Sequence, residues 1–196
     1  MPRLFTGIEI PPAICRQLSF LRGGLPGARW IDEENYHLTL RFVGDVDMDI
    51  AEAVAIGLSR IRRPSFTLTL ADVTTLGTRR PHAIVGRTGA SAALVDLQAE
   101  HERAMQRIGL PPETRKFTPH VTLARLRGIA SRDIADYLSL RGGFVAGPFP
   151  VERFVLFSAR NSTGGGPYVI EQAYPLEGAD TTRNTDNERM QPWQID

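Results

Sequence analysis

Two short strings carry residue types that can move protons on a phosphate: His37-Leu38-Thr39-Leu40 and His120-Val121-Thr122-Leu123. Each reads His-x-Thr-Leu. One four-residue string with a free position recurs by chance; two copies in a chain with only four histidines ask for a joint role. An unperturbed imidazole titrates near pH ~6.5, so close to neutrality one ring can be neutral and another protonated. A neutral ring takes a proton from an attacking water or hydroxyl, and an imidazolium gives one to a leaving oxygen. Threonine hydroxyls donate to non-bridging phosphate oxygens. With imidazolium, hydroxyls and arginines to meet the charge, the chemistry calls for no metal and no cofactor. Two histidines also lack the third and fourth ligands a zinc ion takes, and neither string contains Asp or Glu.

Such residues must be held on strands. Side chains i and i+2 of a strand share a face, so His37 and Thr39 point one way and Leu38 and Leu40 the other; His120 and Thr122 are likewise opposed to Val121 and Leu123. Strict alternation adds Arg41 to the face of His37 and Thr39, as a candidate phosphate contact. It turns Phe42 and Arg125, each five residues after its histidine, to the opposite face.

The elements around the motifs follow from periodicity and punctuation. Residues 3–10 read as a strand, and Pro11-Pro12 open a helix with Ile14, Leu18 and Leu21 on one side. A strand region from about Arg29 to Val43 holds the first motif, and a helix runs on to about Arg62. Phe66–Leu70 alternates as a half-buried strand, and a turn at Gly77–Pro81 leads to a short strand from His82 to Gly86. A helix covers Ser91–Ile108, the second motif strand spans Phe117–Leu126, and Ser131 caps a helix to Leu140. Strands at Phe149–Phe157 and Tyr168–Tyr174 close the order. Strand, helix, motif strand, helix occurs at 3–62 and again at 82–140, with the histidines 83 residues apart. The expected architecture is α+β and bilobal: two pseudo-symmetric lobes with antiparallel sheets around a central cleft and helices outside.

The strings Tyr36-His-Leu-Thr-Leu-Arg-Phe-Val-Gly44 and Phe117-Thr-Pro-His-Val-Thr-Leu-Ala-Arg125 resemble those of the two-histidine phosphoesterases. Within them the chain is most similar to the RNA 2′,3′-cyclic phosphodiesterase, or 2′-5′ RNA ligase-like, branch. The opening strand with Phe5, the Arg79-Arg80-Pro81 loop and the Ser158…Gly-Gly-Pro-Tyr168 pattern fit as well, so the resemblance covers about 1–176. It implies opening of a terminal 2′,3′-cyclic phosphate on RNA or a nucleotide to a 2′-phosphate. His37 would be the general acid toward the leaving 3′-oxygen, His120 the general base on water, and Thr39 and Thr122 the phosphate holders. It also implies a base-stacking role for Phe42 and phosphate binding by Arg125, which alternation opposes and a strand end or bulge would reconcile. The same relay run backwards joins RNA ends in a 2′-5′ linkage. A non-catalytic RNA- or nucleotide-binding module is a further alternative, although pure binding does not require imidazoles.

Composition bounds the rest. A chain of 196 residues suits one large domain or two small lobes with a shared core. The net charge of +1 argues against wholesale nucleic-acid binding. Segment 177–196 is net −3, leaving +4 on 1–176, almost all of it arginine. The expected partners are RNA 3′ ends or nucleotides bearing a 2′,3′-cyclic phosphate. The chain is expected to be a cytoplasmic monomer with no membrane segment and a disordered polar tail at 177–196. Cys15 and His101 lie on apolar helical stripes and read as structural, His82 as a surface residue, and Trp30 and Tyr36 as packing residues; Arg79 and Arg80 read equally as a solvated turn or as a guide for an RNA 3′ end. Gly164-Gly165-Gly166 reads as a flexible hairpin connection rather than a phosphate loop, since no helix follows it.

Overall fold

The computed structural model describes residues 1–77, 79–159 and 166–179. Nine strands and four helices follow one another as β1 (Arg3–Glu9), α1 (Pro12–Ser19), β2 (Arg29–Trp30), β3 (His37–Asp45), α2 (Met48–Ser59), β4 (Phe66–Leu76), β5 (Ala83–Thr88), α3 (Ala92–Arg107), β6 (His120–Arg125), α4 (Ser131–Arg141), β7 (Ala146–Val151), β8 (Arg153–Ser158) and β9 (Val169–Pro175). Each helix buries one stripe. Asp47 caps α2 by accepting from the Ile50 amide at 2.9 Å, and Ala51, Val54 and Leu58 face inward. Ser91 does the same for α3 through the Leu94 amide at 3.2 Å. The expected cap of α4 is not Ser131: Ala130 holds that position and makes no side-chain cap.

The strands are ordered β7-β4-β5-β6-β3-β1-β8-β9, with every pairing antiparallel and β2 attached to β6. Two four-stranded halves meet where β3 and β6 pair at a single position, Leu38 opposite Val121. β4 follows α2 in the chain yet lies in the half built on β6. β8 and β9 come last yet complete the half built on β1 and β3. Each half therefore borrows strands from the other. The expected single strand Phe149–Phe157 is really β7 and β8, separated by Glu152 alone. β7 is one edge of the sheet and β8 lies next to the other, so the sheet curls until its two ends approach. The expected strand Arg29–Val43 is also broken, by a 3-10 turn at Glu33–Asn35.

One face of the sheet and all four helices form the main core, which runs through both halves from Leu4 and Leu18 to Leu97, Tyr137 and Phe154. On the opposite face Phe5, Val155 and Phe157 form a smaller cluster, with Tyr168 and Ile170 packed against it. β1 and β8 are thus buried on both faces and read as near-continuous apolar runs. Glu177 remains part of the fold, its amide donating to the Arg63 carbonyl and its carbonyl accepting from the Ser65 amide, both at 2.8 Å. The expectations for 180–196 and for Gly164 and Gly165 lie outside the described residues. Among the described residues no helix is long and apolar enough to cross a membrane.

Candidate active site

Both histidines begin their strands, one on each side of the seam between the halves. Leu38 pairs with Val121, so in the antiparallel register Thr122 stands opposite His37 and His120 opposite Thr39. Four chemical side chains thereby share one face. With cross-strand Cα spacings of roughly 5 Å and about 6.8 Å between i and i+2, the histidine Cα atoms sit on a diagonal of roughly 8 Å.

The two strands are shaped alike. Their first six residues repeat one pattern of half-buried, buried, half-buried, buried, buried, exposed. The cause is a bulge at the same place in each. β3 advances from Thr39 to Arg41 while β1 moves only from Gly7 to Thr6, and β6 advances from Thr122 to Ala124 while β5 moves only from Val85 to Ile84. Leu40 and Leu123 are the extra residues, and beyond each the alternation is inverted. Phe42 and Arg125 are turned onto the face of the histidines, and Arg41 and Ala124 onto the helix side. The alternation-based expectation for Arg41 is thus corrected. Its guanidinium is buried, donating from Nε to Glu102 Oε2 at 2.6 Å, from Nη2 to the Pro111 carbonyl at 2.5 Å, and to the Phe42 carbonyl. Gly7 permits the close approach of β1 at this point, since a Cβ there would lie 2.8 Å from the Leu38 carbonyl oxygen.

Each imidazole is oriented in the same way. His37 Nδ1 lies 2.8 Å from the Asn35 carbonyl oxygen and His120 Nδ1 lies 2.6 Å from that of Thr118. A carbonyl only accepts, so each Nδ1 carries the hydrogen, and each Nε2 is left to take or give a proton in the cleft. The surroundings differ. His37 is enclosed by Phe5 at 4.9 Å, Tyr168 at 4.9 Å edge-on and Phe157 at 5.5 Å. Burial pushes its pKa down to about 4; the bond to Asn35 opposes this, while the charges of His120 and Arg125 add to it. His120 is also lowered from 6.5, first by burial, with Arg125 and His82 acting in the same direction and Thr118 against it. One half of the cleft is aromatic and the other cationic.

Phe42 is exposed on the cleft rim, 6.0 Å from Phe5, and the Arg115 guanidinium lies 5.7 Å from its ring centre. Asn35 was not expected at the site. It is buried, its carbonyl holds His37, and its side-chain oxygen accepts from the Tyr168 amide at 3.2 Å. Its place two residues before the histidine was the available signal; the contact to Tyr168, 133 residues away, left none. A cavity of about 310 Å³ shares Phe157 and Tyr168 with the wall of His37, but its charged lining is Glu9, paired with Arg153, together with Glu33, Glu34 and a single arginine, Arg16, so it is net acidic and disfavours a phosphate. His101 is fully buried, its Nδ1 donating to the Leu97 carbonyl at 2.8 Å. Cys15 is buried with its pKa raised to about 11, mainly by burial, and Trp30 packs on Tyr137 with ring centres 5.8 Å apart. His82, Arg79 and Arg80 are exposed.

A family model described as LigT like Phosphoesterase matches residues 8–86 and again residues 85–168, one match for each motif. An RNA 2′,3′-cyclic phosphodiesterase of Escherichia coli is 34% identical over 185 residues, covering 89% of this chain and 96% of that protein. One of Aeropyrum pernix is 35% identical over 112 residues, covering 56% of this chain and 63% of that protein, so the chain spans under two thirds of that relative's length. The crystal structure of E. coli LigT complexed with 3′-AMP superposes with a TM-score of 0.73 at 27% identity, covering 90% of this chain and 99% of that one.

Proposed function

The chain belongs to the LigT-like phosphoesterases, and from that membership we propose that it hydrolyses 2′,3′-cyclic phosphate ends of RNA, or of nucleotides, to 2′-phosphates. The observation that carries the mechanism is the matched pair of imidazoles across the seam. Both are locked by a backbone carbonyl at Nδ1 with Nε2 free, and each stands opposite a threonine of the other motif. His120 Nε2 takes a proton from water as its oxygen attacks phosphorus. The bond from phosphorus to the 3′-oxygen breaks, and His37 Nε2–H delivers the proton to that oxygen. Thr39 and Thr122 donate to the non-bridging oxygens, and Arg125 meets the charge that builds on them. The direction of the relay follows the family resemblance. Burial makes His37 hard to protonate on its own, so its acid form depends on the anionic phosphate beside Nε2 as counter-charge. Phe42 offers its exposed face to the base, and the E. coli structure with 3′-AMP supports a ligand of nucleotide size.

The test is turnover of a short RNA ending in a 2′,3′-cyclic phosphate, with EDTA present and the product identified as the 2′-phosphate. His37→Ala and His120→Ala should each lower kcat/KM by about 10²- to 10⁴-fold while circular dichroism stays native. Retention of activity within tenfold in both variants, or a strict need for added metal, would overturn the assignment.

A further inference from the structure

β3 leaves the edge of β6 after the Leu38–Val121 pair, and the two-residue strand β2 takes the edge that is left. There Arg29 stands opposite Arg125 and Trp30 opposite Ala124. The Ile31 amide extends this pairing by donating to the Leu123 carbonyl at 2.9 Å. Trp30 packs on Tyr137 of α4, on the helix side of the sheet. Alternation then turns Arg29 to the other face, the one to which the bulge at Leu123 brings Arg125. Both arginines are exposed, and among the described residues neither forms an ion pair with a carboxylate. Like charges directly opposite on antiparallel strands destabilise a sheet. Two guanidinium groups held so by a half-buried tryptophan make sense where an anion comes to lie between them, since each can offer a fork of donors to phosphate oxygens.

Arg125 lies within the field of both histidines, whereas Arg29 is not among the charges that shift either. Arg29 therefore lies farther out than Arg125 and does not duplicate the site of the reacting phosphate. Building on the cyclic phosphodiesterase reading, we propose that Arg29, held beside the Arg125 that serves the reacting phosphate, forms a second phosphate subsite. It takes the phosphodiester on the 5′ side of the cyclic-phosphate nucleotide, so that a polynucleotide end is a better substrate than a mononucleoside 2′,3′-cyclic phosphate. Phe42 on β3 and the two arginines on β6 and β2 then face the substrate from opposite sides of the cleft, one toward a base and the others toward the backbone.

The experiment compares kcat/KM for a nucleoside 2′,3′-cyclic phosphate without a 5′-phosphate and for a trinucleotide ending in the same group. The wild type should prefer the trinucleotide at low salt and lose that preference as salt rises. Arg29→Gln should lower the trinucleotide-to-mononucleoside ratio about tenfold and reduce the slope of log kcat/KM against log salt by about 0.7, the value for one single-strand phosphate contact. Arg29→Lys should restore part of the ratio. An unchanged ratio in Arg29→Gln, or an equal loss on both substrates, would overturn the subsite and leave Arg29 a structural residue. A wild-type protein inert toward both substrates would overturn the cyclic phosphodiesterase reading and the subsite with it.

Discussion

Replacing His101 with methionine should make the protein more acid-resistant without touching its site. His101 is fully buried in the core, edge-on to Phe154 at 4.5 Å, and its Nε2 has no hydrogen-bond partner. Burial pushes its pKa to about 4, against the Leu97 carbonyl and Glu100, which favour the charged ring. Unfolding returns it to about 6.5. Below pH 6.5 the unfolded chain therefore binds a proton that the folded chain refuses, and stability falls as pH drops from about 6.5 to about 4, where it levels off. Linkage with these two values makes the loss from this one residue about 2 kcal/mol at pH 5 and about 3 kcal/mol at pH 4 relative to pH 7.5. Methionine has similar volume and cannot titrate. At pH 7.5 His101→Met loses the bond to Leu97 but also removes the unpartnered Nε2, so the two proteins should have nearly equal stability. At pH 5 the variant should be ahead by about 2 kcal/mol, or roughly 4–8 °C in Tm for a chain of this size. Urea unfolding at both pH values measures the difference directly. Parallel pH dependences would refute the argument, because they would mean that His101 either carries its proton inside the fold or is not buried there.

The same lowering acts on the active-site pair. Catalysis needs one ring protonated and one neutral, and both pKa values lie below 6.5, so kcat/KM should peak on the acid side of pH 6.5 and fall about tenfold per unit well above both. A maximum above pH 7 would contradict the enclosure of His37. The Arg41–Glu102 pair should respond unequally to loss of either partner. Glu102→Leu strands a guanidinium that is 8% exposed and should cost about 3–5 kcal/mol in urea unfolding. Arg41→Met leaves Glu102 with donors from the Gln106 side chain and the Glu113 amide and should cost about 1–2 kcal/mol; equal costs would refute this account.

The shared face of His37, Thr39, His120 and Thr122 was readable because it depends on the shortest-range regularity of a strand. Alternation put His37 with Thr39 and His120 with Thr122 whatever the strands paired with. The matched order of elements indicated that the two strands occupy equivalent places in two lobes. Arg41 shows where that reasoning ends. The bulge at Leu40 comes from pairing with β1, not from β3 alone, and one extra residue inverts Arg41 and Phe42, up to a second shift before Gly44. The same inversion at Leu123 carries Arg125 into the cleft. The borrowed strands were hidden for a related reason: nothing in Phe66–Leu76 or Arg153–Ser158 says which half of the sheet each will join.

By itself, then, the sequence determined the candidate groups, their pairing on strands and the family to which the chain belongs, because residue type and a two-residue period are local properties. Tertiary structure decided how the two histidines differ. Phe5, Phe157 and Tyr168 come from three distant segments to shut His37 away from water, while His120 is less enclosed and has Arg125 and His82 among the charges acting on it. Burial and charge at a point are sums over everything packed around it, and only the folded chain specifies what those neighbours are.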